Sequence, residues 1–147
     1  MNRNFVEMLS ELSDEGAEFL VIGAHAVAAH GYIRGTRDLD VWIRPTRDNA
    51  ERVFRALVRF GAPLRDVTVE DLYAPERIYQ LGVEPYRIDF ITTPTGLDFA
   101  EAWSSRVAIR VNGREFPFVS KADLIRAKRA TARPQDLVDA DMLEKRQ

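Results

Sequence analysis

The sequence predicts an α/β domain with a mixed β-sheet flanked by helices, because short apolar strands alternate with amphipathic helices along the chain. Its 147 residues are 46% hydrophobic and 30% charged, which is ordinary usage for a globular domain. No repeat, low-complexity tract or flexible linker interrupts the chain. We therefore expect a single domain over residues 1–147, with a core over about 1–93 and a C-terminal hairpin and two helices over about 97–147.

The first half of the chain alternates between helix and strand patterns. Phe5, Met8 and Leu12 recur at the spacing of one helix face. Gly31 closes an alanine-rich stretch, and Thr46 can cap the helix that follows the second strand. The predicted elements are a helix over 4–13, a strand over 19–23, a helix over 24–30, a strand over 38–43 and a helix over 47–60.

The second half is read from its turns and caps. Asn112-Gly113 is a typical hairpin turn, Ser120 and Asp123 form a capping box, and Pro134 suits a first helical turn. Residues 65–75 give no clear pattern. The predicted elements are a strand pair over 78–83 and 86–92, a short helix over 99–103, a hairpin over 106–111 and 114–119, and helices over about 120–132 and 134–145.

Composition excludes several classes of protein. The net charge of −2 argues against nucleic-acid binding through bulk positive charge. Because the chain has no cysteine, disulfides, zinc ribbons and thiol nucleophiles are excluded. The apolar stretches are too short to cross a membrane, and the first residues lack the apolar core of a signal peptide. These features predict a cytoplasmic protein with no membrane partner.

Three aspartates carry the strongest chemical pattern. On an extended strand Asp38 and Asp40 point the same way, and Asp89 interrupts a later apolar strand. If the two strands are neighbours, three carboxylates converge into a hard-oxygen site suited to Mg²⁺ or Mn²⁺. The alternative for the first pair is a solvated strand edge, or ion pairs with Arg34 and Arg37 just upstream.

Together these stretches resemble a known superfamily. VIGAHAVAAHGYIRGTRDLDVWI followed by RIDFIT is similar to the nucleotidyltransferase fold of the polymerase-beta type. Within it, RATARPQDLVDAD adds a resemblance to the small bacterial group that includes AbiEii-type toxins of toxin–antitoxin and phage-defence systems. The resemblance covers residues 19–141 and implies a minimal nucleotidyltransferase fold, an NTP substrate and Mg²⁺ or Mn²⁺ as cofactor.

The resemblance also assigns roles to residues. Asp38 and Asp40 would be metal ligands, and Asp89 would complete the metal site and help to deprotonate the attacking hydroxyl. Gly23 and Ala24 would direct backbone N–H groups to the β- and γ-phosphates. Ala24 stands where the superfamily has serine or glycine, which keeps the N–H group but supplies no hydroxyl.

Other candidates have a structural alternative. His25 is either a phosphate contact or a side chain at a helix N-terminus. We interpret His30 as structural, at the end of a helix, and Trp42 as an aromatic that fills the core rather than one that stacks on a base. Arg34 and Thr36, in the loop before the second strand, are candidate nucleotide contacts.

Lysine is scarce, and this directs attention to one helix. The chain has 21 basic residues, of which only Lys121, Lys128 and Lys145 are lysine. A helical wheel places Lys121 and Lys128 on the packed face, with Asp123, Arg126 and Ala130 on the other. We expect Lys128, and after it Lys121, to contact the triphosphate, although solvated lysines would give the same pattern. Asp136 and Asp139 match the acidic positions of the AbiEii-type group, or simply form a helical ion pair with Arg133.

Two main functions follow from these residues. The first is a metal-dependent transferase that moves an NMP from an NTP to a hydroxyl of an RNA, a protein or a small molecule. The second is a non-catalytic nucleotide-binding or partner protein of a two-component system, completed by a homodimer or a cognate protein. A plain RNA-binding module fits the acidic balance poorly. A local basic patch could still guide an RNA end to the site: Arg126, Lys128, Arg129 and Arg133.

Overall fold

In the computed structural model, which describes residues 1–33, 38–83 and 86–145, six strands form one sheet between helices. Every predicted helix and strand is present in the predicted order, with small shifts at the ends. The 65–75 stretch contains a short 3-10 turn, and the predicted turn at residues 84–85 lies outside the described residues. The elements are α1 Arg3–Asp14, β1 Phe19–Ile22, α2 Gly23–Ala29, β2 Leu39–Ile43, α3 Arg47–Phe60, β3 Ile78–Leu81, β4 Ile88–Ile91, α4 Phe99–Ser104, β5 Val107–Val111, β6 Arg114–Phe118, α5 Lys121–Thr131 and α6 Pro134–Lys145.

The sheet is mixed, as the sequence predicts. Its strand order is β3-β4-β2-β1-β6-β5. β2 pairs with β4 in parallel and with β1 in antiparallel orientation, while β1 and β6 are parallel. The outer pairs β3–β4 and β5–β6 are antiparallel. The parallel pairing of β2 with β4 has the greatest consequence for function, because it joins the two strands that carry aspartates.

The two faces of the sheet have different cores. On one face, Leu39 and Val41 of β2 belong to a large apolar cluster with residues of α1 and α3. On the other face, a smaller cluster joins Trp42 to Leu20 and Phe99. The Trp42 ring is buried, with its centroid 5.0 Å from that of Phe99, which confirms that it fills the core. The smaller cluster leaves part of this second face open for a site.

Hydrogen bonds that involve side chains fix the ends of several helices. Asn49 N and Asp123 N donate to the side chains of the N-cap residues of α3 and α5. At the end of α2, His30 Nε2 lies 2.8 Å from the Val119 carbonyl oxygen, which agrees with a structural role for this histidine. The helical wheel places Asp123 on the face opposite Lys121 and Lys128, yet Asp123 is only 9% exposed and accepts a hydrogen bond from Ser105, at the end of α4.

No helix within the described part of the chain is long and apolar enough to span a membrane.

Candidate active site

The three aspartates converge on the open face of the sheet. Asp40 of β2 is the registered partner of Asp89 on β4. Registered residues of neighbouring strands point to the same face, and Asp38 precedes Asp40 by two residues on that face. The predicted proximity of the two strands is therefore correct. We call Asp38, Asp40 and Asp89 the sheet carboxylates.

Arg87 binds two of the sheet carboxylates. Its Nε and Nη2 donate to the two oxygens of Asp89 at 2.7 and 3.2 Å, a bidentate arrangement. Nη2 also lies 3.5 Å from Asp38 Oδ2, and the Arg87 backbone N donates to Asp38 Oδ1 at 3.0 Å. One guanidinium thus spans the start of β2 and the start of β4.

Asp40 is destabilised as an anion. Burial raises its pKa to about 6, and the negative charges of Asp89 and Asp38 act in the same direction. Lys128 and Arg87 partly oppose this effect. The negative charges around Asp40 are therefore not fully balanced by the neighbouring cations, an arrangement common at sites that bind cations or transfer protons.

Gly23 lies directly against Asp40. It has a φ of +71°, and a Cβ added there would overlap the Asp40 carboxylate. Glycine is therefore needed at this position both for its backbone conformation and for the close approach. The start of α2 therefore lies against the sheet carboxylates at Gly23, and Ala24 follows in the first turn of α2.

A cavity of about 410 Å³ opens beside Asp40, between the sheet, the 93–97 loop and α5. Its wall is largely apolar, and the charged side chains come both from the sheet and its connections and from the α5–α6 region. This size suits a small organic ligand or part of a nucleotide. The apolar wall is formed chiefly by Ile22, Ile91, Leu97, Val119, Leu124 and Ala127, and the charged groups are Asp40, Glu76, Arg77, Lys128, Arg133 and Asp136.

Lys128 reaches the cavity wall from α5, as the helical wheel predicts, but it is already paired. Its Nζ lies 3.4 Å from Asp136 and 3.2 Å from Asp139, both on α6. The Asp139 side chain is fully buried and also accepts a hydrogen bond from Gln135. We call Asp136 and Asp139 the helix carboxylates. They hold the ammonium on the side of the cavity opposite the sheet.

Asp136 is stabilised as an anion. Burial alone would raise its pKa, but hydrogen bonds from Arg133 and Thr131, together with the charge of Lys128, lower the pKa to about 2. The Arg133 Nε lies 2.7 Å from Asp136, so the predicted helical ion pair is present as well. Asp136 is a charged scaffold residue at neutral pH rather than a proton acceptor.

The remaining candidates lie away from the cavity or outside the described residues. The His25 ring makes an edge-on contact with Phe5, and burial, aided by the charge of the N-terminal amino group, lowers the pKa of His25. Lys121, at the first turn of α5, is not part of the described lining of the cavity. Arg34 and Thr36 lie outside the described residues, as does Arg37.

The predicted basic patch does not stand out as an uncompensated surface. Arg126 lies 3.7 Å from Asp123, and Arg129 pairs with both Asp141 and Glu144. The other two basic residues of the patch, on α5 and just before α6, are the ones already paired with the helix carboxylates. This neutralisation weakens the support for an RNA guide surface.

The sheet carboxylates fit a divalent cation in chemistry. They supply hard oxygen donors on adjoining strands, which Mg²⁺ and Mn²⁺ prefer. Two of them, Asp38 and Asp89, already pair with a cation, the Arg87 guanidinium. In the part of the chain that the structure describes, however, no three aspartate, glutamate or histidine side chains are already grouped as metal ligands.

Sequence reasoning overlooked Arg87 and Arg133 as parts of the site. The strand alternation places Arg87 on the face of Asp89, two residues away, and this spacing was the available signal. Arg133 precedes Asp136 by three residues, and was considered as that residue's ion-pair partner and as part of the basic patch, but not as part of the cavity. Neither spacing alone shows that the arginine reaches a second element or the cavity.

Solved structures share this fold, whereas no protein-family model and no curated protein sequence matches the chain. LnuA, a lincosamide antibiotic adenylyltransferase solved with lincomycin, superposes with a TM-score of 0.65 at 16% identity, over 98% of this chain and 96% of LnuA. TM1012 of Thermotoga maritima, a candidate nucleotidyltransferase, gives 0.62 at 16% identity, over 97% and 89%. The antibiotic-resistance factor ANT(2'')-Ia gives 0.59 at 13% identity, over 95% and 80%. The chain therefore has the nucleotidyltransferase fold, while the AbiEii-type relationship stays a prediction.

Proposed function

We propose that this chain is a metal-dependent nucleotidyltransferase that moves an NMP from an NTP to a hydroxyl acceptor. The observation that carries the proposal is the position of the sheet carboxylates on adjoining strands of a nucleotidyltransferase fold, with Asp40 lining a cavity of about 410 Å³. The fold similarity over 96% of LnuA, an adenylyltransferase, adds support.

In this proposal, the residues around the cavity have different roles. Asp38, Asp40 and Asp89 would hold Mg²⁺ or Mn²⁺, which when bound supplies positive charge at the phosphates. Lys128, on the opposite wall, would contact the triphosphate, as the resemblance implies. The backbone at Gly23, which already touches the Asp40 carboxylate, would lie close to the phosphates.

In the proposed transfer, the acceptor hydroxyl oxygen forms a bond to the α-phosphorus of the NTP. The bond from that phosphorus to the oxygen that bridges the α- and β-phosphates breaks, and pyrophosphate leaves with the electron pair. The hydroxyl proton passes to a carboxylate oxygen of Asp89. Positioning of the two substrates and compensation of charge would supply most of the rate.

A small molecule is the acceptor class that the cavity favours, because its wall is largely apolar and the neighbouring basic residues are paired. RNA and protein remain acceptors to be tested. A setting in toxin–antitoxin or phage defence, and a homodimer or cognate partner protein, follow only from the sequence resemblance and belong to the proposal in that sense.

The test is label transfer from each of the four α-labelled NTPs with Mg²⁺ or Mn²⁺. Total RNA, lysate protein and a small-molecule extract serve as separate acceptors. The double variant Asp38→Asn/Asp40→Asn is the inactive control. The matched control is Asp48→Asn, which removes one exposed aspartate at the start of α3, outside the cavity.

Label on one acceptor class that is lost in the double variant and kept in Asp48→Asn would support the transferase and name its acceptor. Absence of label from any NTP, with Asp40-dependent binding of NTP and metal still measurable, would refute catalysis. That result would favour the second function, a nucleotide-binding partner protein.

A further inference from the structure

The contacts of Arg87 go beyond what a simple surface ion pair requires. Its guanidinium takes both oxygens of Asp89 and approaches Asp38, and the side chains of these two aspartates are only 13% and 23% exposed. The arginine backbone joins the same arrangement, because its N–H donates to Asp38 and its carbonyl oxygen accepts from the Leu39 N–H. Arg87 is therefore held at the sheet carboxylates by its main chain as well as by its side chain.

A guanidinium and a divalent ion on the same carboxylates oppose each other. The Arg87 N–H groups use the lone pairs of Asp89 and Asp38 that face them, and two cations at short distance repel each other, so each weakens the binding of the other.

We propose that the Arg87 guanidinium competes with the divalent cation for Asp38 and Asp89, so that the cation binds tightly only after the guanidinium has moved away. The inference rests on the proposed function, since it concerns the same metal site. Arg87 is thus a positioning residue that keeps the carboxylates together between binding events. An arriving triphosphate offers the displaced guanidinium another anion to pair with.

The experiment measures Mn²⁺ binding to the full chain without nucleotide, by the loss of the electron paramagnetic resonance signal of free Mn²⁺. Removing the competing charge in Arg87→Gln should lower the Kd for Mn²⁺ by about tenfold or more, because three carboxylates then lack their counter-charge. Arg87→Lys keeps the charge but loses the bidentate fork, so its Kd should fall between the two. Arg55→Gln, which removes an exposed ion pair with Glu15, should leave the Kd unchanged.

The melting temperature provides a second readout, one part of which needs no metal. Without Mn²⁺, the melting temperature of Arg87→Gln should lie below that of the wild type, and saturating Mn²⁺ should raise it more in the variant than in the wild type. Should Arg87→Gln not fold, Arg87→Lys provides both readouts.

The outcomes separate this inference from the proposed function. If wild-type protein binds Mn²⁺ with NTP in an Asp40-dependent way, but Arg87→Gln binds Mn²⁺ alone no tighter than wild type, the competition is refuted and the transferase proposal stands. Weaker binding in Arg87→Gln would show that Arg87 assists the ion, which also refutes the competition. If neither protein binds Mn²⁺ with or without NTP, both proposals fail.

Discussion

Two groups of aspartates each contribute one residue to the same cavity, and their charges are balanced in opposite ways. Among the sheet carboxylates, Asp38 and Asp89 pair with the Arg87 guanidinium, and the pKa of Asp40 rises to about 6. The helix carboxylates are two acids that share the Lys128 ammonium and further donors, and the pKa of Asp136 falls to about 2. Asp40 and Asp136 line the same cavity, so location alone does not set the difference.

The pKa values of Asp40 and Asp136 shift in opposite directions although burial acts on both. Burial favours the neutral form of both acids, so hydrogen bonds and neighbouring charges decide the result. At Asp136 the donors outweigh burial, and the carboxylate is a fixed anion that holds Lys128 in place. At Asp40 the charges of Asp89 and Asp38 raise the pKa in the same direction as burial, so a further positive charge at this site would stabilise the anion.

The largest effect on activity is expected at Asp40. Asp40→Asn should lower nucleotidyl transfer by at least about 10²-fold, because it removes a proposed metal ligand. Its free energy of unfolding should stay the same or rise, because the amide is spared the repulsion from Asp38 and Asp89. Label transfer and urea unfolding at pH 7 measure the two effects. A marked loss of stability would show instead that the Asp40 anion is well compensated.

The largest effect on stability is expected at Lys128. Lys128→Met leaves two buried carboxylates without their shared cation, which should cost about 3–5 kcal/mol in the free energy of unfolding. Lys145→Met, at the exposed end of α6, removes the same charge and should cost less than about 0.5 kcal/mol. Urea unfolding of both variants gives the comparison, and equal small effects would mean that the helix carboxylates are not held by Lys128.

A smaller, pH-dependent effect is expected at Asp136. Its folded pKa of about 2 lies below the ordinary 3.8, so its stabilisation is present above about pH 4 and is lost as the pH falls towards 2. Asp136→Asn should therefore cost about 2 kcal/mol at pH 7. Unfolding curves at several pH values should show the variant and the wild type converging in acid; a constant difference down to pH 2 would contradict the shift.

The smallest effect is expected at Arg133. Its Nε lies 2.7 Å from Asp136, but its side chain is 75% exposed, so solvent screens the pair. Arg133→Gln should cost less than about 1 kcal/mol in the free energy of unfolding at pH 7. If it costs as much as Lys128→Met, then the exposed arginine rather than the buried lysine balances the helix carboxylates.

The fold and the sheet carboxylates could be predicted because they depend on local periodicity. Period-two alternation places Asp38 and Asp40 on one strand face and Asp89 on the matching face of a later strand. The Asn112-Gly113 turn and the Ser120 cap mark their elements by backbone chemistry alone. Such features need no knowledge of distant contacts.

On α6 the hydropathy pattern is misleading. Asp136 and Asp139 are buried there, while Leu137 and Val138 are about half exposed. Hydrophobicity alone would predict the opposite orientation of the helix, with Leu137 and Val138 buried and the two aspartates exposed. The packing of α6 against α5 brings Lys128 to these two aspartates. The sequence of neither helix alone predicts how the two helices pack together.

Strand and helix periods act over a few residues, so the sequence predicts the elements, their order and the strand face of each aspartate. The pair of Arg87 with Asp89 is also local, because the two residues lie two apart in the chain. The contacts of Arg87 with Asp38 and of Lys128 with the helix carboxylates could not be predicted, because they join parts of the chain whose distances are fixed only when the sheet and helices pack.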